Sequence, residues 1–377
     1  MMKHMVYTLI VCLLLGLASG SSLSTIQTVD ASDVEYVAPS GNITTDTANL
    51  QAAIDRLVRP RSEQNQGKLV LSGRYWLNKP LRVGDPAART VCIEGISQTQ
   101  IIYYGPKTDE PMLSFVGTGL GRFPRLTQVV LRCESRCRGV AMQDQQYQLL
   151  AQDVEILDAR QLALKLERCW GSTLERVAIS RGRGVLVFVD SGQQSFRDCH
   201  FTGRAGDWPA EIPVLQRAAA VIRAGTQLWD NCMWEACKYN GLPLIYVTGP
   251  LVTFTNTRFE DNVSRCKWLL EGTTPGNGKA CRFMQTHMWE NVKPESVLEL
   301  RGQTRRILVD GIVSTPLATA VVHAAAGTHQ DVRVDGALTW YAADPTYPMT
   351  ATSNGAVITA PPIPAEPLIG DCDRSTN

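Results

Sequence analysis

Ser195-Phe-Arg-Asp-Cys-His-Phe201, Leu228-Trp-Asp-Asn-Cys-Met-Trp234 and Thr253-Phe-Thr-Asn-Thr-Arg-Phe259 are three versions of one phrase. Each has an apolar strand, an Asp or Asn, a small residue and a second apolar strand. Looser versions follow at Arg282-Phe-Met-Gln-Thr-His-Met288, Ile307-Leu-Val-Asp-Gly-Ile312 and Val332-Arg-Val-Asp-Gly-Ala337, with fainter ones near Ala151–Ile156 and Leu174–Ile179. Before each of the six clear versions runs a further apolar strand that ends at a glycine: Gly192, Gly225, Gly249, Gly272, Gly302 and Gly327. The unit is therefore strand, turn, strand, tight corner, strand, long connection. Asp198, Asn231, Asn256, Asp310 and Asp335 are assigned to the corner, because Asn and Asp tolerate left-handed backbone and hydrogen-bond to nearby main chain.

Short β-branched strands without intervening helices exclude a doubly wound α/β sheet. An antiparallel sandwich needs hairpin turns that are not apparent. The irregular period over residues 160–340 predicts an all-β fold, a right-handed parallel β-helix, in which each rung pairs with the next at about 4.8 Å. Cys199 with Phe201, Cys232 with Trp234, Thr257 with Phe259 and Thr286 with Met288 form an inward stack of small and large side chains. Trp229, Trp234 and Trp289 are read as core. Glu235, Glu260 and Glu290 follow the large apolar residue and are read as a solvated edge.

The remainder of the chain frames this solenoid. Of 377 residues, 37 are Lys or Arg and 36 are Asp or Glu, a balance that does not point to nucleic acid or an anionic membrane. Residues 1–20 combine Lys3, the apolar run Val6–Leu17 and Ala18-Ser-Gly20, the pattern of a signal peptide, so the mature protein is expected to be secreted or periplasmic and not membrane-bound. Residues 21–342 are assigned to a single β-helix domain and 343–377 to a proline-rich tail. Ten cysteines remain after cleavage, an even number that permits disulfides in an exported protein. Cys133 with Cys137, Cys232 with Cys237 and Cys266 with Cys281 are the nearest in sequence. A zinc site is not indicated, since paired CxxC motifs and histidine clusters are lacking. Asn42-Ile-Thr44 and Asn262-Val-Ser264 are glycosylation sequons.

Thr45-Asp46 followed by Thr47–Leu57 predicts a capped helix over about 46–58, with Leu50, Ala53, Ile54 and Leu57 on one face to cover the first rung. Thr45-Asp-Thr-Ala48 through Asp55, followed by Leu69-Val-Leu-Ser-Gly73-Arg-Tyr75-Trp-Leu77, resembles the entry helix and first strand pair of the pectate-lyase-like β-helix superfamily, with Ser72 where proline is usual. That resemblance implies the β-helix fold. It does not select a function, because the superfamily spans polysaccharide hydrolases and lyases, phage tailspikes and non-catalytic surface proteins. The catalytic signatures of polygalacturonases and classical pectate lyases are missing, and Arg122-Phe-Pro-Arg125 only faintly matches the lyase Arg-Pro-Arg loop.

Alternation along the glycine-ended strands places Asp190, Arg223, Tyr246, Glu271, Glu299, Arg301 and His323 on the outer face. The connection Gly203–Arg217, carrying Asp207, Trp208 and Glu211, and the Gly-rich Thr273–Ala280 would wall a shallow groove suited to an extended glycan. Hydrolysis needs two carboxylates about 5–5.5 Å or about 6.5–9.5 Å apart. Glu271 with Glu299 and Asp190 with Asp207 are the candidate pairs. Elimination needs a base and a cation to neutralise enolate-like charge, and Arg223, Arg301, Tyr246 and His323 are of the right types. Asp190, Asp207, Glu271, Glu299 and Arg223 are thus the candidate catalytic residues. Trp208, Tyr246, Trp268, Arg301 and His323 are the candidate substrate contacts. No cofactor is implied. Calcium could use Asp190 or the Glu column, but no ligand spacing requires it. Two readings stay open: a polysaccharide hydrolase or lyase, and a non-catalytic glycan-binding or cell-surface protein. A tailspike-like fibre fits the signal peptide poorly.

Overall fold

The structure is a computed structural model that describes residues 34–58, 67–84, 91–116, 124–143, 149–272, 278–292, 294–314, 320–335, 339–340 and 358–359. The signal-peptide reading of 1–20, Arg122, Phe123, most of Thr273–Ala280, Cys372 and nearly all of the proline-rich tail lie outside these residues. From the tail, Ile358–Thr359 pairs in parallel with Val332–Arg333.

The chain forms a right-handed parallel β-helix of about nine turns. Among the described residues every strand pairing is parallel, and each strand joins its counterpart one rung away, as Gln194–Arg197 joins Gln227–Asp230. Three sheets result. The first holds the glycine-ended strands such as Val185–Asp190 and Ala220–Ile222. The second holds Gln194–Arg197 and its equivalents, and the third His200–Arg204, Met233–Glu235 and Arg258–Glu260. Some strands run on around a corner, as in Val263–Gly272 and Ser296–Ser314.

Inward side chains of successive rungs stack. Phe196, Trp229, Phe254 and Phe283 are in register and fully buried. The Phe196 and Trp229 rings lie 3.8 Å apart at 7°, and Phe254 and Phe283 lie 5.8 Å apart at 8°. Such pairs add about 0.5–1.5 kcal/mol each beyond their buried area. The Cys199, Cys232, Thr257, Thr286 column is buried beside it.

Asp198, Asn231 and Asn256 turn the corner with φ of 51–52°. Asp310 does not: it aligns with Met284 inside the strand, Asp335 aligns with Asp310, and Gly311 takes the left-handed position with φ 62°. The same column holds Gln128, Arg176 and Gln285 on other rungs, so the corner accepts residues that sequence preference alone would not select. The strand-ending glycine answers a different need. A Cβ on Gly272 would stand 1.7 Å from the Gln303 carbonyl oxygen of the next rung.

Helix α1, Ile43–Val58, caps the first rung with Leu50, Ala53, Ile54 and Leu57 buried. It starts three residues before the expected boundary because Asn42, not Thr45, is the N-cap: Asn42 Oδ1 accepts the Thr44 and Thr45 N–H groups at 3.0 Å. Asp46 instead turns inward and accepts the Trp76 N–H at 3.1 Å, tying the helix to the first long strand.

The sequence-adjacent cysteine pairs are not joined. Cys133, Cys137, Cys169, Cys199, Cys232, Cys237, Cys266 and Cys281 are buried thiols. Cys232 and Cys237 contact different carbonyls, those of Phe196 and Phe201, and Cys266 and Cys281 belong to different apolar clusters. Asn262 of the second sequon is fully buried, accepting the Cys237 N–H and donating to the Trp234 carbonyl, which removes it from any modifying enzyme once the chain is folded.

Candidate functional site

Side-chain alternation turns two columns of the first sheet outward. One runs Lys165, Phe188, Val221, Tyr246, Leu269, Glu299, His323. The other holds Glu167 beside Asp190 and Glu271 beside Arg301. Arg223 and Thr248 follow strand ends that align with these rows. The outward residues named from sequence are therefore on one face. The long connection does not wall a groove beside them, however. It folds back over the first column, where Ile212 joins Phe188, Val221, Tyr246 and Leu269 in a second apolar cluster, with Trp208 packed against it. Apolar outward residues and a loop carrying Trp and Ile bury one another.

Burial takes the Trp268 and Tyr246 rings away from the surface. Trp208 is partly buried, with the Arg217 guanidinium 5.5 Å from its ring and Tyr239 in edge contact. Trp268 points into the core at 0 % exposure, against Phe254, Phe259 and Phe283. The Tyr246 ring is buried, and its hydroxyl donates to Glu271. Burial, with the Glu271 carboxylate adding to it, holds the Tyr246 phenol well above its usual pKa. Arg223 grips Gln216 of the covering loop through Nε at 3.1 Å and Nη2 at 2.8 Å, and lies over the Phe188 ring.

Asp190 and Asp207 are not brought together as a pair. Asp207 pairs with Arg160, and its carbonyl is 3.0 Å from the Cβ position of Gly184, at the start of the strand that Asp190 ends. Six residues of strand put the two about 20 Å apart. Glu299 aligns with Leu269, not with Glu271. It is 6 % exposed and held by Arg301 Nε at 2.6 Å and Arg265 Nη2 at 3.0 Å. Two guanidinium groups lock it as a structural anion. Arg301 is committed to that pair, and His323 stands next to Glu299 in register.

Nearby, the turns after the first-sheet strands form a feature that the sequence reading missed. Arg168, Trp170, Asp190, Gly192, Thr226 and Pro250 line an open concavity of about 660 Å³. Trp170 is 55 % exposed. Its ring would be 3.2 Å from a Cβ on Gly192, so the glycine lets the indole lie across the turn. Asp190 has no ion-pair partner among the described residues. Glu167, its in-register neighbour, is held by Lys165 Nζ at 3.1 Å and Gln143 Nε2 at 3.1 Å. Cα atoms of such neighbours lie about 4.8 Å apart. The signal was present: Leu162–Glu167 is a rung strand like the others, followed by Arg168-Cys-Trp-Gly171 at the turn, but it lacks the terminal glycine that marked later rungs. Among the described residues no three His, Cys, Asp or Glu side chains are arranged to hold a metal ion.

The carboxylate column of the third sheet also differs from expectation. Glu235 and Glu260 align with each other and with Trp289, which is 41 % exposed and not core. Glu290 falls one residue out of step and turns inward. It pairs with Lys267 at 2.6 Å, side chains 2 % and 0 % exposed, and accepts the Asn262 amide. Burial pushes the Glu290 carboxyl up and the Lys267 ammonium down, and their mutual attraction opposes both shifts.

No model of a known protein family matches the sequence, and no curated protein matches it. Among solved structures, the chain is similar to ORF18 of Geobacillus virus E2, with 15% identity and a TM-score of 0.58 over 80% of this chain and 61% of that one. It is similar to a double mutant of the tailspike protein of E. coli bacteriophage HK620, with 15% identity and a TM-score of 0.50 over 86% and 64%. An alginate lyase from Paenibacillus sp. str. FPU-7 shows 12% identity and a TM-score of 0.47 over 80% and 99%. The chain thus spans less than two thirds of the two viral proteins. At these identities the likeness bears on the fold alone.

Proposed function

We propose that this protein engages a polysaccharide at the Trp170–Asp190 concavity and hydrolyses it there. The reading is carried by one juxtaposition: an exposed indole on the wall of a concavity that also holds a carboxylate with no ion-pair partner among the described residues. An aromatic ring with one face in water suits the C–H face of a pyranose, and a carboxylate beside it suits the hydroxyls. The adjacent Glu167 favours hydrolysis over elimination. Two carboxylates on neighbouring rungs can approach the separation of about 5–5.5 Å used by retaining glycosidases; Arg223 and Arg301 are engaged elsewhere, and Arg168, which lines the concavity, stands 3.6 Å from Glu167 as its ion-pair partner. We also place the chain with the pectate-lyase-like superfamily, on α1 and the first strand pair, and outside the cytoplasm, on its N-terminal apolar run.

A non-catalytic glycan-binding role is the second reading, favoured by Glu271 and Glu299 both being engaged. The test compares the parent protein with Trp170→Ala and Asp190→Asn on neutral and acidic polysaccharides. Retardation in polysaccharide-containing gels, reducing ends and the absorbance of unsaturated uronates are followed together. Hydrolysis predicts new reducing ends that Asp190→Asn abolishes. Retardation lost in Trp170→Ala without any product supports binding alone. Unsaturated uronates would overturn the hydrolytic assignment, and no retardation or product with any polymer would overturn both readings.

A further inference from the structure

The third sheet carries a second outward surface that the concavity does not use. Glu235, Glu260 and Trp289 form one column, and Met233, Arg258 and His287 form the column beside it, with His200 on the next rung. His200 Nε2 stands 2.8 Å from Glu235 Oε2. The His287 ring stacks on Trp289, with centroids 5.6 Å apart and 24° between planes, leaving the indole 41 % exposed. Four histidines lie beyond residue 20, and two of them are on this face. Glu260 and the exposed Arg258 have no ion-pair partner among the described residues. Arg258 and Trp289 are exposed, and the other side chains of the two columns are partly exposed.

From this we infer a second carbohydrate site, centred on Trp289 and Glu260, that takes a neutral polysaccharide. The indole, held flat by His287, supplies an apolar platform. Glu260 accepts, and Arg258 donates, hydrogen bonds from either side of a vicinal diol, matching the mixed donor and acceptor character of uncharged sugars. An acidic chain would meet Glu235 and Glu260 as like charges. Rungs rise about 4.8 Å, close to the length of one pyranose, so a chain laid along the solenoid axis passes Trp289, Glu260 and Glu235 with roughly one sugar per rung. Because the first and third sheets are different faces, one polymer, or two, can be held at both sites, and weak sites in series raise overall retention by avidity.

The inference shares only its ligand class with the proposed function, and its test separates the two. Retardation in gels containing dextran, glucomannan, alginate or polygalacturonate is measured for Trp289→Ala, Glu260→Gln, Trp170→Ala and the double Trp170→Ala/Trp289→Ala. Trp289 is 41 % exposed, so its replacement should leave the circular dichroism unchanged and lower the unfolding midpoint only modestly. The expected result is that Trp170→Ala keeps residual retardation by a neutral polymer and that adding Trp289→Ala removes it, a loss of tenfold or more in apparent affinity. Glu260→Gln should weaken it less, since the amide still accepts a hydrogen bond. If Trp170→Ala changes nothing but Trp289→Ala abolishes retardation, the second site stands and the first falls. If Trp289→Ala has no effect on any polymer in either background, or only acidic polymers are retarded, the second site is wrong.

Discussion

Replacing Lys267 by methionine would remove the ammonium of a pair whose side chains are 0 % and 2 % exposed and 2.6 Å apart. Glu290 would lose its buried ammonium partner and keep, among its contacts, the Asn262 backbone N–H and side-chain amide, the latter at 3.2 Å. Stranding one charge of a buried pair costs about 3–5 kcal/mol, whereas removing both charges together is often neutral. The unfolding equilibrium of Lys267→Met should therefore shift by roughly two to three and a half orders of magnitude. Glu290→Gln should also destabilise, and the double variant should regain most of the loss, giving a large favourable coupling energy in the cycle. The penalty should depend on pH. Burial already raises the folded-state pKa of Glu290, and losing Lys267 raises it further. A carboxyl raised on folding contributes its stability below its unfolded pKa of about 4.3 and loses it as pH rises through the folded value. Lys267→Met should thus be least destabilised in acid and most at neutral pH. Guanidinium unfolding followed by tryptophan fluorescence measures this, and Trp234 reports locally because its carbonyl accepts the Asn262 amide at 2.8 Å. Equal midpoints for the single and double variants at neutral pH, or a penalty that grows in acid, would refute the reasoning.

Two further outcomes follow from packing. Gly272→Ala places a Cβ against backbone of the next rung, so it should lower stability by at least about 1–3 kcal/mol, read as a reduced guanidinium midpoint; an unchanged midpoint would mean that the rungs separate freely there. Burial pushes the thiols of Cys237, Cys266 and Cys281 up to about 12. An aromatic disulfide reagent at pH 8 should leave all three unlabelled in the native protein and label them after guanidinium unfolding; labelling at comparable rates in the native state would count against their burial.

Much of the site was legible as a face but not as a surface. Side-chain parity is local: Tyr246, Glu299 and Arg301 point outward because every second residue of a strand does. Reachability is not local. The path of residues 205–217 decides that Phe188 and Tyr246 are covered, and the partners Arg265, Arg301 and Gln216 decide which charges remain available. Glu290 illustrates the boundary. Its resemblance to Glu235 and Glu260 is positional in the sequence, yet one extra residue after Met288 reverses its parity and sends it to Lys267.

The recurring phrase around Asp198, Asn231 and Asn256, with its glycine-ended partner strand, determined the parallel β-helix from sequence alone, because a period-two strand pattern, a left-handed corner and a close backbone approach are requirements that individual residues meet locally. Tertiary structure decided where function can reside. Neighbouring rungs are separated by connections of unequal length, so register between Glu167 and Asp190, or between Glu260 and Trp289, arises only when the coil closes. The Trp170 concavity is assembled from turns of successive rungs, and no single stretch of sequence contains it.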